Sequence, residues 1–423
     1  MHSKYFPVRL IFFITFLLDL YVFSAIKKLT KRLSSKVRTI IHYSYWSITF
    51  INIAFVCSTF IIDFYDQPRF SRTYLFAFLI ITVLSKIIAA IILLIDDIRR
   101  ASIWTFFMAK NIYSTQKHKA KDTKHSISRS TFLSQLSLIT AGIPFSSLMY
   151  GIFQNAYNYQ VHHIDITLPK LPKVFNGLKI VQISDIHTGS FVFKEPIQKG
   201  IDIINKLGAD IIFFTGDLVN TKTDEVNGFI DLFKQIKSKN GVISILGNHD
   251  YGDYKDWSSP KAKAKNLDDM IESHKKLGWQ LLRNEHTIFE KDGKKIGIIG
   301  VENWSAHKNF TKYGDLKKSV EQMPKDIDLK ILLSHDPSHW DAEVSQTYQD
   351  IDLTLAGHTH GMQFGVEIPG WKWSPVKYLY KQWAGLYKKG AQYLYVNRGF
   401  GFIGYPGRVG ILPEITLITL KST

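Results

Sequence analysis

This sequence cannot form an intrachain disulfide. Its 423 residues contain a single cysteine, Cys57, which lies inside an apolar run. The lack of disulfides leaves the compartment open, because many envelope proteins also have none. The sequence also has no internal repeat and no long low-complexity tract.

Acidic residues are scarce in the first third of the chain. Residues 1–150 carry 19 Lys and Arg against 6 Asp and Glu, a net charge of +13 out of the total of +17. Only +4 remains for the other residues, so the basic excess is not a general property of the chain. Because it lies between apolar segments, it indicates membrane topology rather than nucleic-acid binding, and no nucleic-acid partner is expected.

Long apolar runs are abundant in the same third. Each approaches the ~20 residues that a helix needs to cross a bilayer. They cover Phe6–Ile26, which contains Asp19; Ile40–Ile62; Tyr74–Ile95, which contains Lys86; and Phe132–Phe153, which contains Pro144. Residues 1–155 are therefore predicted to form a helical transmembrane region with about four spans.

The loops between these runs predict an orientation. Residues 27–38 and 99–129 are rich in Lys and Arg, whereas Arg69 and Arg72 are opposed by Asp63 and Asp66 in the middle loop. By the positive-inside rule, four spans place the following domain outside the cytoplasm. If the fourth run does not cross, that domain stays inside. Residues 128–133 also resemble a twin-arginine export signal with a serine in place of one arginine, and that reading gives the same outward placement.

From about residue 164 the pattern changes to short apolar runs that end in polar turns. Near-continuous apolar strands alternating with helical patterns at 195–207, 226–237 and 267–277 predict an α/β fold with two sheets packed as a sandwich. The segment Asp253–Asn266 is predicted to be a loop or lid. The predicted strands are Leu178–Ser184, Asp210–Thr215, Val242–Leu246, Ile296–Val301, Lys330–Leu333, Ile351–Leu355, Tyr393–Val396 and Glu414–Leu420.

Five of these strands run directly into Asp, Asn or His side chains. Ligands gather beyond the carboxyl ends of strands in open α/β sheets. Imidazole together with carboxylate suits zinc, iron or manganese. Each motif alone is weak, but their ordered occurrence after successive strands predicts a metal site. Its candidate residues are Asp185, His187, Asp217, Asn248, His249, Asp250, His335, His358 and His360.

These motifs closely resemble those of the calcineurin-like metallophosphoesterase family, in particular its membrane-associated bacterial branch. The resemblance covers roughly residues 164–420 and includes the lead-in LPKLPKVFNGLKIVQISDIH and the closing VNRGFG and PEITLITL. It implies a β-sandwich flanked by helices, with four α/β/β/α layers, over a domain at 160–423. It also implies an integral protein of a bacterial cell membrane.

The resemblance also assigns roles to the site residues. It implies that Asp185, His187 and His360 bind one divalent ion, that Asn248, His335 and His358 bind a second, and that Asp217 bridges the two. The ions are expected to be manganese, iron or zinc. Two ions can share a hydroxide that attacks phosphorus in line. His249 is expected to bind no metal and to assist the leaving oxygen, with Asp250 orienting it and raising its pKa.

A few further residues are weaker candidates for the site. Arg398 is expected either to contact a substrate phosphate or to be a structural arginine before a glycine turn. Asn303, after a strand, is a candidate for the pocket wall. Five histidines outside the motifs are predicted to lie at the surface: His162, His163, His274, His286 and His307.

The function predicted from these features is hydrolysis of a phosphomonoester or phosphodiester beside a membrane, with a lipid or cell-envelope molecule as the substrate. An alternative is a membrane sensor or scaffold whose domain binds metal without turnover. A transporter is disfavoured, because Asp19 and Lys86 are too few charges to line a path. The motifs leave the metal, the ester type and the oligomeric state open.

Overall fold

The computed structural model describes residues 6–62, 67–111 and 129–423. The chain divides into two compact units, Met1–Met149 and Tyr150–Thr423.

The described part of the first unit is helical. Helix α1 includes the first predicted apolar run, and its side chains are described from Thr15 onward. Among the described helices, three segments are long and apolar enough to cross a membrane: Ser35–Ser58, Ser71–Met108 and Arg129–Asn155. The helices are α1 (Phe6–Thr30), α2 (Ser35–Ser58), α3 (Phe76–Asn111, preceded by a π-helical turn at Ser71–Leu75) and α4 (Arg129–Tyr150, followed by a π-helical turn at Gly151–Asn155).

The charged residues that interrupt the apolar runs pair with each other. Asp19 of α1 and Lys86 of α3 form a buried ion pair. The hydroxyl of Tyr45 on α2 donates to the Asp19 carbonyl oxygen at 2.9 Å. Asn52 of α2 donates to the Thr82 hydroxyl of α3 at 2.7 Å, so polar side chains link these helices in their interior.

The second unit contains two six-stranded sheets and a small hairpin. The first sheet has the order β1-β14-β2-β3-β4-β5 and the second the order β12-β13-β9-β8-β7-β6, while β10 and β11 form the hairpin. The strands are β1 (Gln160–Thr167), β2 (Lys179–Ile183), β3 (Ile211–Phe214), β4 (Val242–Ser244), β5 (Trp279–Leu281), β6 (Glu285–Lys291), β7 (Lys294–Gly300), β8 (Leu329–Leu333), β9 (Leu353–Ala356), β10 (Val366–Ile368), β11 (Trp371–Trp373), β12 (Gly385–Lys389), β13 (Gln392–Val396) and β14 (Glu414–Lys421).

Alternation along the strands gives each sheet two buried faces. Ile211 and Phe213 of β3 face the second sheet and pack with residues such as Ile331, whereas Ile212 and Phe214 face the helices on the other side. A third cluster, which includes Trp340, covers the outer face of the second sheet. The predicted α/β/β/α sandwich, preceded by a helical region with candidate membrane spans, is therefore confirmed.

The helices of the second unit differ in part from the predicted ones. They are α5 (Glu195–Lys206), α6 (Ile230–Phe233), α7 (Pro260–Leu277), α8 (Leu316–Val320) and α9 (Ser345–Thr347). Helix α7 begins inside the segment predicted to be a loop or lid, because Ser259 caps it by accepting from the Ala262 N–H and Pro260 occupies its first turn. The helical pattern at 226–237 yields only the single turn of α6.

Candidate metal centre

The carboxyl ends of β2, β3, β4, β8 and β9 deliver the predicted ligands, and five of these have left-handed backbone conformations. Their φ angles are +54° at Asp185, +52° at His187, +63° at Asp217, +72° at His358 and +50° at His360. Such conformations cost about 1–3 kcal/mol each for residues other than glycine and persist only when their surroundings enforce them. Their concentration on one set of strand ends is typical of a functional site.

Two glycines let these loops approach each other. Gly216 has a φ of +96°, and a Cβ atom there would lie 2.5 Å from the Gly247 nitrogen. A Cβ atom on Gly357 would lie 1.9 Å from the Ser184 Oγ and 2.3 Å from the Asp185 Oδ2. Both positions therefore require glycine for close packing of the loops rather than for flexibility.

One group of ligand atoms comes from Asp185, His187 and His360, which are buried. The Nε2 atoms of His187 and His360 lie 3.0 Å apart, and the His360 Nε2 lies 3.2 Å from the Asp185 Oδ1. Ligands about 2.0–2.1 Å from one tetrahedral ion are separated by roughly 3.3 Å. These atoms are therefore spaced as ligands of one ion.

A second group comes from Asn248, His335 and His358. The Asn248 Oδ1 lies 3.1 Å from the His335 Nε2 and 2.8 Å from the His358 Nδ1. The two histidine nitrogens are themselves 3.3 Å apart. An amide oxygen and two imidazole nitrogens thus converge on one point, and the amide adds no charge.

Asp217 lies between the two groups. Its Oδ2 is 3.5 Å from the His187 Nε2 of the first group and 3.2 Å from the His335 Nε2 of the second. Its other oxygen, Oδ1, accepts from the His249 backbone N–H at 2.9 Å. The carboxylate is therefore held with one oxygen free to face both groups.

The hydrogen bonds on the far side of two of these rings, those of His187 and His335, support metal binding. The His187 Nδ1 lies 3.1 Å from the Val219 carbonyl oxygen, and the His335 Nδ1 lies 2.7 Å from the Thr215 carbonyl oxygen. A carbonyl only accepts, so both rings carry their proton on Nδ1 and keep the Nε2 lone pair for an ion. The donor set therefore fits two divalent ions.

Burial lowers the pKa of three of the four candidate histidine ligands, whereas a neighbouring carboxylate raises the pKa of the fourth. Burial lowers the pKa of His187, His358 and His360, which keeps their imidazoles neutral, as metal ligands must be. Burial opposes charging of His335 as well, but the Asp217 carboxylate raises the pKa of His335 to about 10. That ring would therefore release a proton when it binds an ion.

The side chain of His249 lies at the cavity and has a different partner from the one predicted. Its Nδ1 is 2.6 Å from the Asn220 carbonyl oxygen. The Asp250 carboxylate accepts instead from four backbone N–H groups, at 2.8–3.2 Å, and no hydrogen bond joins it to His249. The interpretation of Asp250 as the orienting partner is therefore wrong: Asp250 is fully buried and fixes the loops after β3 and β4.

A cavity of about 360 Å³ opens beside these ligands. Its wall includes six of the candidate site residues and several apolar side chains. The former are His187, Asp217, Asn248, His249, His358 and His360, and the latter are Phe310, Val376, Leu379 and Ile403. His307, predicted to lie at the surface, also lines the cavity.

Two tyrosines at this site were missed by the sequence analysis. The Tyr254 hydroxyl accepts from the Asn248 Nδ2 at 2.7 Å, and its ring lies 4.5 Å from that of His249. The Tyr380 hydroxyl lies 2.8 Å from the His358 Nε2 and 3.3 Å from Asp336. Neither follows a strand in a motif, so nothing in the local sequence marks them.

The two residues predicted to contact substrate lie elsewhere. Arg398 is buried and forms ion pairs with Glu414, at 2.6 Å, and with Glu367, at 3.1 Å. Asn303 is buried, and its side-chain nitrogen donates to the Thr311 carbonyl oxygen at 3.0 Å. Neither belongs to the cavity wall formed by the described residues. This geometry favours the structural reading of Arg398.

Comparison with known proteins assigns both parts of the chain. Residues 3–156 match a family model described as "Probable Calcineurin-like phosphoesterase, transmembrane domain", and residues 178–362 match the calcineurin-like phosphoesterase model. An uncharacterised metallophosphoesterase of Bacillus subtilis (strain 168) is 31% identical over 303 residues, which are 70% of this chain and 99% of that protein. A transmembrane protein with a metallophosphoesterase domain from Danio rerio is 29% identical over 283 residues, which are 65% of this chain and only 60% of that protein.

Among solved structures, the NAD nucleotidase of Haemophilus influenzae matches with a TM-score of 0.37 and 18% identity, covering 53% of this chain and 45% of that one. The family matches agree with the two groups of ligand atoms and with the candidate membrane spans. The chain is a membrane protein, and it belongs to the calcineurin-like metallophosphoesterase family.

Proposed function

We propose that the protein is a membrane-anchored phosphoesterase in which two divalent ions act together on a phosphate ester. In this proposal residues 1–155 form the transmembrane region and residues 160–423 the catalytic domain. The observation that carries it is the position of the Asp217 Oδ2, 3.5 Å and 3.2 Å from one histidine of each ligand group. A carboxylate held in this way suits a bridging role.

The proposed ligands are Asp185, His187 and His360 for one ion and Asn248, His335 and His358 for the other. Manganese, iron and zinc all accept this combination of imidazole and oxygen donors. Two such ions, when bound, lower the pKa of water and neutralise the phosphoryl oxygens of the ester.

The residues of the chain contribute position and proton transfer. His249 stands beside the ligands without belonging to either group, with its Nδ1 engaged by the Asn220 carbonyl oxygen. Its Nε2 is therefore the ring atom left for the departing oxygen, to which it donates when the ring is an imidazolium. The apolar side chains of Phe310, Leu379 and Ile403 in the cavity wall favour an ester that carries hydrocarbon.

The proposed location is a bacterial cell membrane, with the catalytic domain outside the cytoplasm. The support is the excess of Lys and Arg in the loops at 27–38 and 99–129. An outward domain favours a lipid headgroup or glycan phosphate of the envelope as the substrate. A reporter fused after Thr423 that works only outside the cytoplasm tests the orientation, and a silent reporter would contradict it.

The test of the chemistry is an assay of the purified full chain on bis-aryl and mono-aryl phosphates with each added metal. We expect metal-dependent hydrolysis that is largely lost in Asp217→Asn. His249→Ala should lose less on these aryl esters, because their leaving groups need little proton donation. The same background rate in all three proteins with every metal would support the alternative of a metal-binding sensor or scaffold without turnover.

A further inference from the structure

The hairpin after the last metal ligand has its polar side inward and its apolar side outward. Strands β10 and β11 pair Val366 with Trp373, Glu367 with Lys372, and Ile368 with Trp371. Directly opposed residues share a face of the pleated pair. The face with Glu367 and Lys372 is therefore opposite to the face with the four apolar residues.

The inward face is anchored to the body of the domain. Glu367 forms an ion pair with the buried Arg398. Lys372 donates to the Ala384 carbonyl oxygen, and its ammonium lies 5.3 Å from the centre of the Trp383 ring. These contacts fix which side of the hairpin points outward.

Three of the four apolar residues on the outward face are strongly exposed, and the fourth, Trp373, is half-buried. Val366 is 43% exposed, and Ile368 and Trp371 are each 55% exposed. Nearer to the candidate ligand His360, Met362 and Phe364 are also exposed, and the buried Gln363 lies between them in the chain. Of the 13 large apolar residues exposed within residues 150–423, eight lie in residues 362–386. We name seven of them the apolar rim: Met362, Phe364, Val366, Ile368, Trp371, Tyr378 and Leu379.

The charges around the apolar rim indicate which kind of partner covers it. Residues 361–390 contain five lysines and seven aromatic residues, and their one acidic residue is Glu367, which is already paired. Lys377 and Lys381, on either side of Tyr378 and Leu379, are exposed. The headgroup region of an anionic bilayer attracts surfaces in which Trp and Tyr lie beside Lys. It also favours surfaces without an unpaired carboxylate.

We infer that the apolar rim inserts into the surface of the bilayer to which the chain is anchored. The second unit begins at the end of a helix that is long and apolar enough to cross a membrane, so a bilayer is always within reach of the domain. An apolar patch of this size facing water is otherwise unfavourable.

The position of the apolar rim then defines the class of substrate, and this step rests on the proposed function. Leu379 belongs both to the apolar rim and to the wall of the catalytic cavity. The cavity therefore receives a phosphate ester whose hydrocarbon part stays in the bilayer. The substrate class is a lipid-linked phosphate ester rather than a soluble metabolite.

The contact with lipid is tested without catalysis. Cys57→Ser removes the one cysteine of the full chain. In that background, Ile368→Cys or Lys206→Cys adds a single site for an environment-sensitive fluorophore. Lys206 is the matched control, because it is exposed on α5. In nanodiscs of phosphatidylcholine and phosphatidylglycerol with nitroxide-labelled acyl chains, we expect quenching at position 368 and none at position 206.

Equal quenching at the two positions would overturn the inference. The inference would also be overturned if the fluorophore at position 368 were shielded from water in a way that depends on protein concentration and not on the nitroxide. That result would assign the apolar rim to a contact with a second copy of the chain.

The substrate class is tested with two chromogenic diesters, soluble bis(4-nitrophenyl) phosphate and hexadecyl 4-nitrophenyl phosphate carried in vesicles of the same two lipids. We expect Ile368→Glu combined with Trp371→Glu to slow hydrolysis of the vesicle-bound ester by about tenfold or more, because charges resist insertion. Hydrolysis of the soluble ester should be unchanged. Ile288→Glu, at an exposed apolar residue on β6, should change neither rate.

Equal rates of the double variant and the wild type on the vesicle-bound ester would contradict the substrate class. Wild-type protein that hydrolyses neither ester would refute the proposed function, while the fluorescence result would still stand.

Discussion

The His249 Nδ1 lies 2.6 Å from the carbonyl oxygen of Asn220, at the edge of the ligand groups. A carbonyl can only accept, so Nδ1 carries a proton and the ring orientation is fixed by the backbone. Asn220 follows the bridging candidate Asp217 in the same loop. The loop that carries the proposed bridging ligand Asp217 therefore also fixes the ring of His249, the proposed proton donor.

This relationship predicts how His249→Ala depends on the ester. We expect kcat to fall by about 10²–10⁴ for an alkyl ester, whose leaving oxygen needs a proton. The loss should be much smaller for a 4-nitrophenyl ester, whose leaving group departs as a stable anion. The measurement is kcat for both esters, with metal content determined beside it, because His249 belongs to neither ligand group. Equal losses for the two esters would refute the assignment of proton donation.

The position of Asp217 predicts a loss of metal that involves both ions. Asp217→Asn removes the negative charge that faces both ligand groups, so we expect the apparent affinity for both ions to fall by about tenfold or more. Metal content after dialysis, by elemental analysis, is the measurement. Asp224→Asn, at an exposed carboxylate after the same strand, is the control and should retain the wild-type content. Loss of only one ion in Asp217→Asn would argue against a bridging role.

The sequence predicted the strands of the domain interior better than those at its edges. The buried strands β2, β3, β8 and β9 are nearly continuous apolar runs, and hydrophobicity alone locates them. The edge strand β6 has several exposed residues, because its position is set by pairing with β7 and not by burial. Such strands carry little signal in the sequence.

At the site, the sequence likewise predicted the candidate ligands better than their hydrogen-bond partners. The ligand candidates follow predicted strands, so topology alone brings them together. The partner of His249 is a backbone carbonyl, and the partner of His358 is Tyr380, which is 22 residues away along the chain. Contacts of this kind depend on how the loops fold back. For the same reason Asp250, adjacent to His249 in sequence, was wrongly interpreted as its partner.

The two ion pairs of Arg398 predict that it contributes to stability and not to substrate affinity. Arg398→Met leaves the Glu414 carboxylate buried without its cation, which costs about 3–5 kcal/mol. We expect a lower unfolding temperature and an unchanged KM for the soluble aryl ester. Arg398→Lys should recover part of the stability, again with unchanged KM. A large rise in KM at normal stability would instead show that Arg398 contacts the phosphate.

A buried histidine away from the metal site predicts a pH effect. His274, expected at the surface, is fully buried beside Ser244, and burial lowers its pKa to about 3. In the unfolded chain it titrates near 6.5. Its neutral form therefore stabilises the fold fully above that pH, and this stability is lost as the pH falls toward 3.

The matched variant for this effect is His274→Met. Between pH 6 and pH 4, the free energy of unfolding of the wild type should fall as the pH is lowered. Its slope should exceed that of the variant by about 1.4 kcal/mol per pH unit. The measurement is the unfolding temperature of both proteins at several pH values. Parallel pH profiles would show that His274 does not titrate on unfolding.

The ion pair between Asp19 and Lys86 predicts strong coupling within the first unit. Lys86→Met leaves a carboxylate among apolar helices, and Asp19→Leu leaves an ammonium there, so each should cost about 3–5 kcal/mol. The double variant removes both charges and should regain most of the lost stability, because no unpaired group remains. The unfolding temperatures of the four proteins in detergent give the coupling energy between the two charges. Hydrolysis of the soluble ester by the folded proteins should stay constant, because the proposed ligands lie in the other unit. If the losses simply add in the double variant, the two charges do not stabilise each other, and the pair would then be an accident of two helices that pack for other reasons.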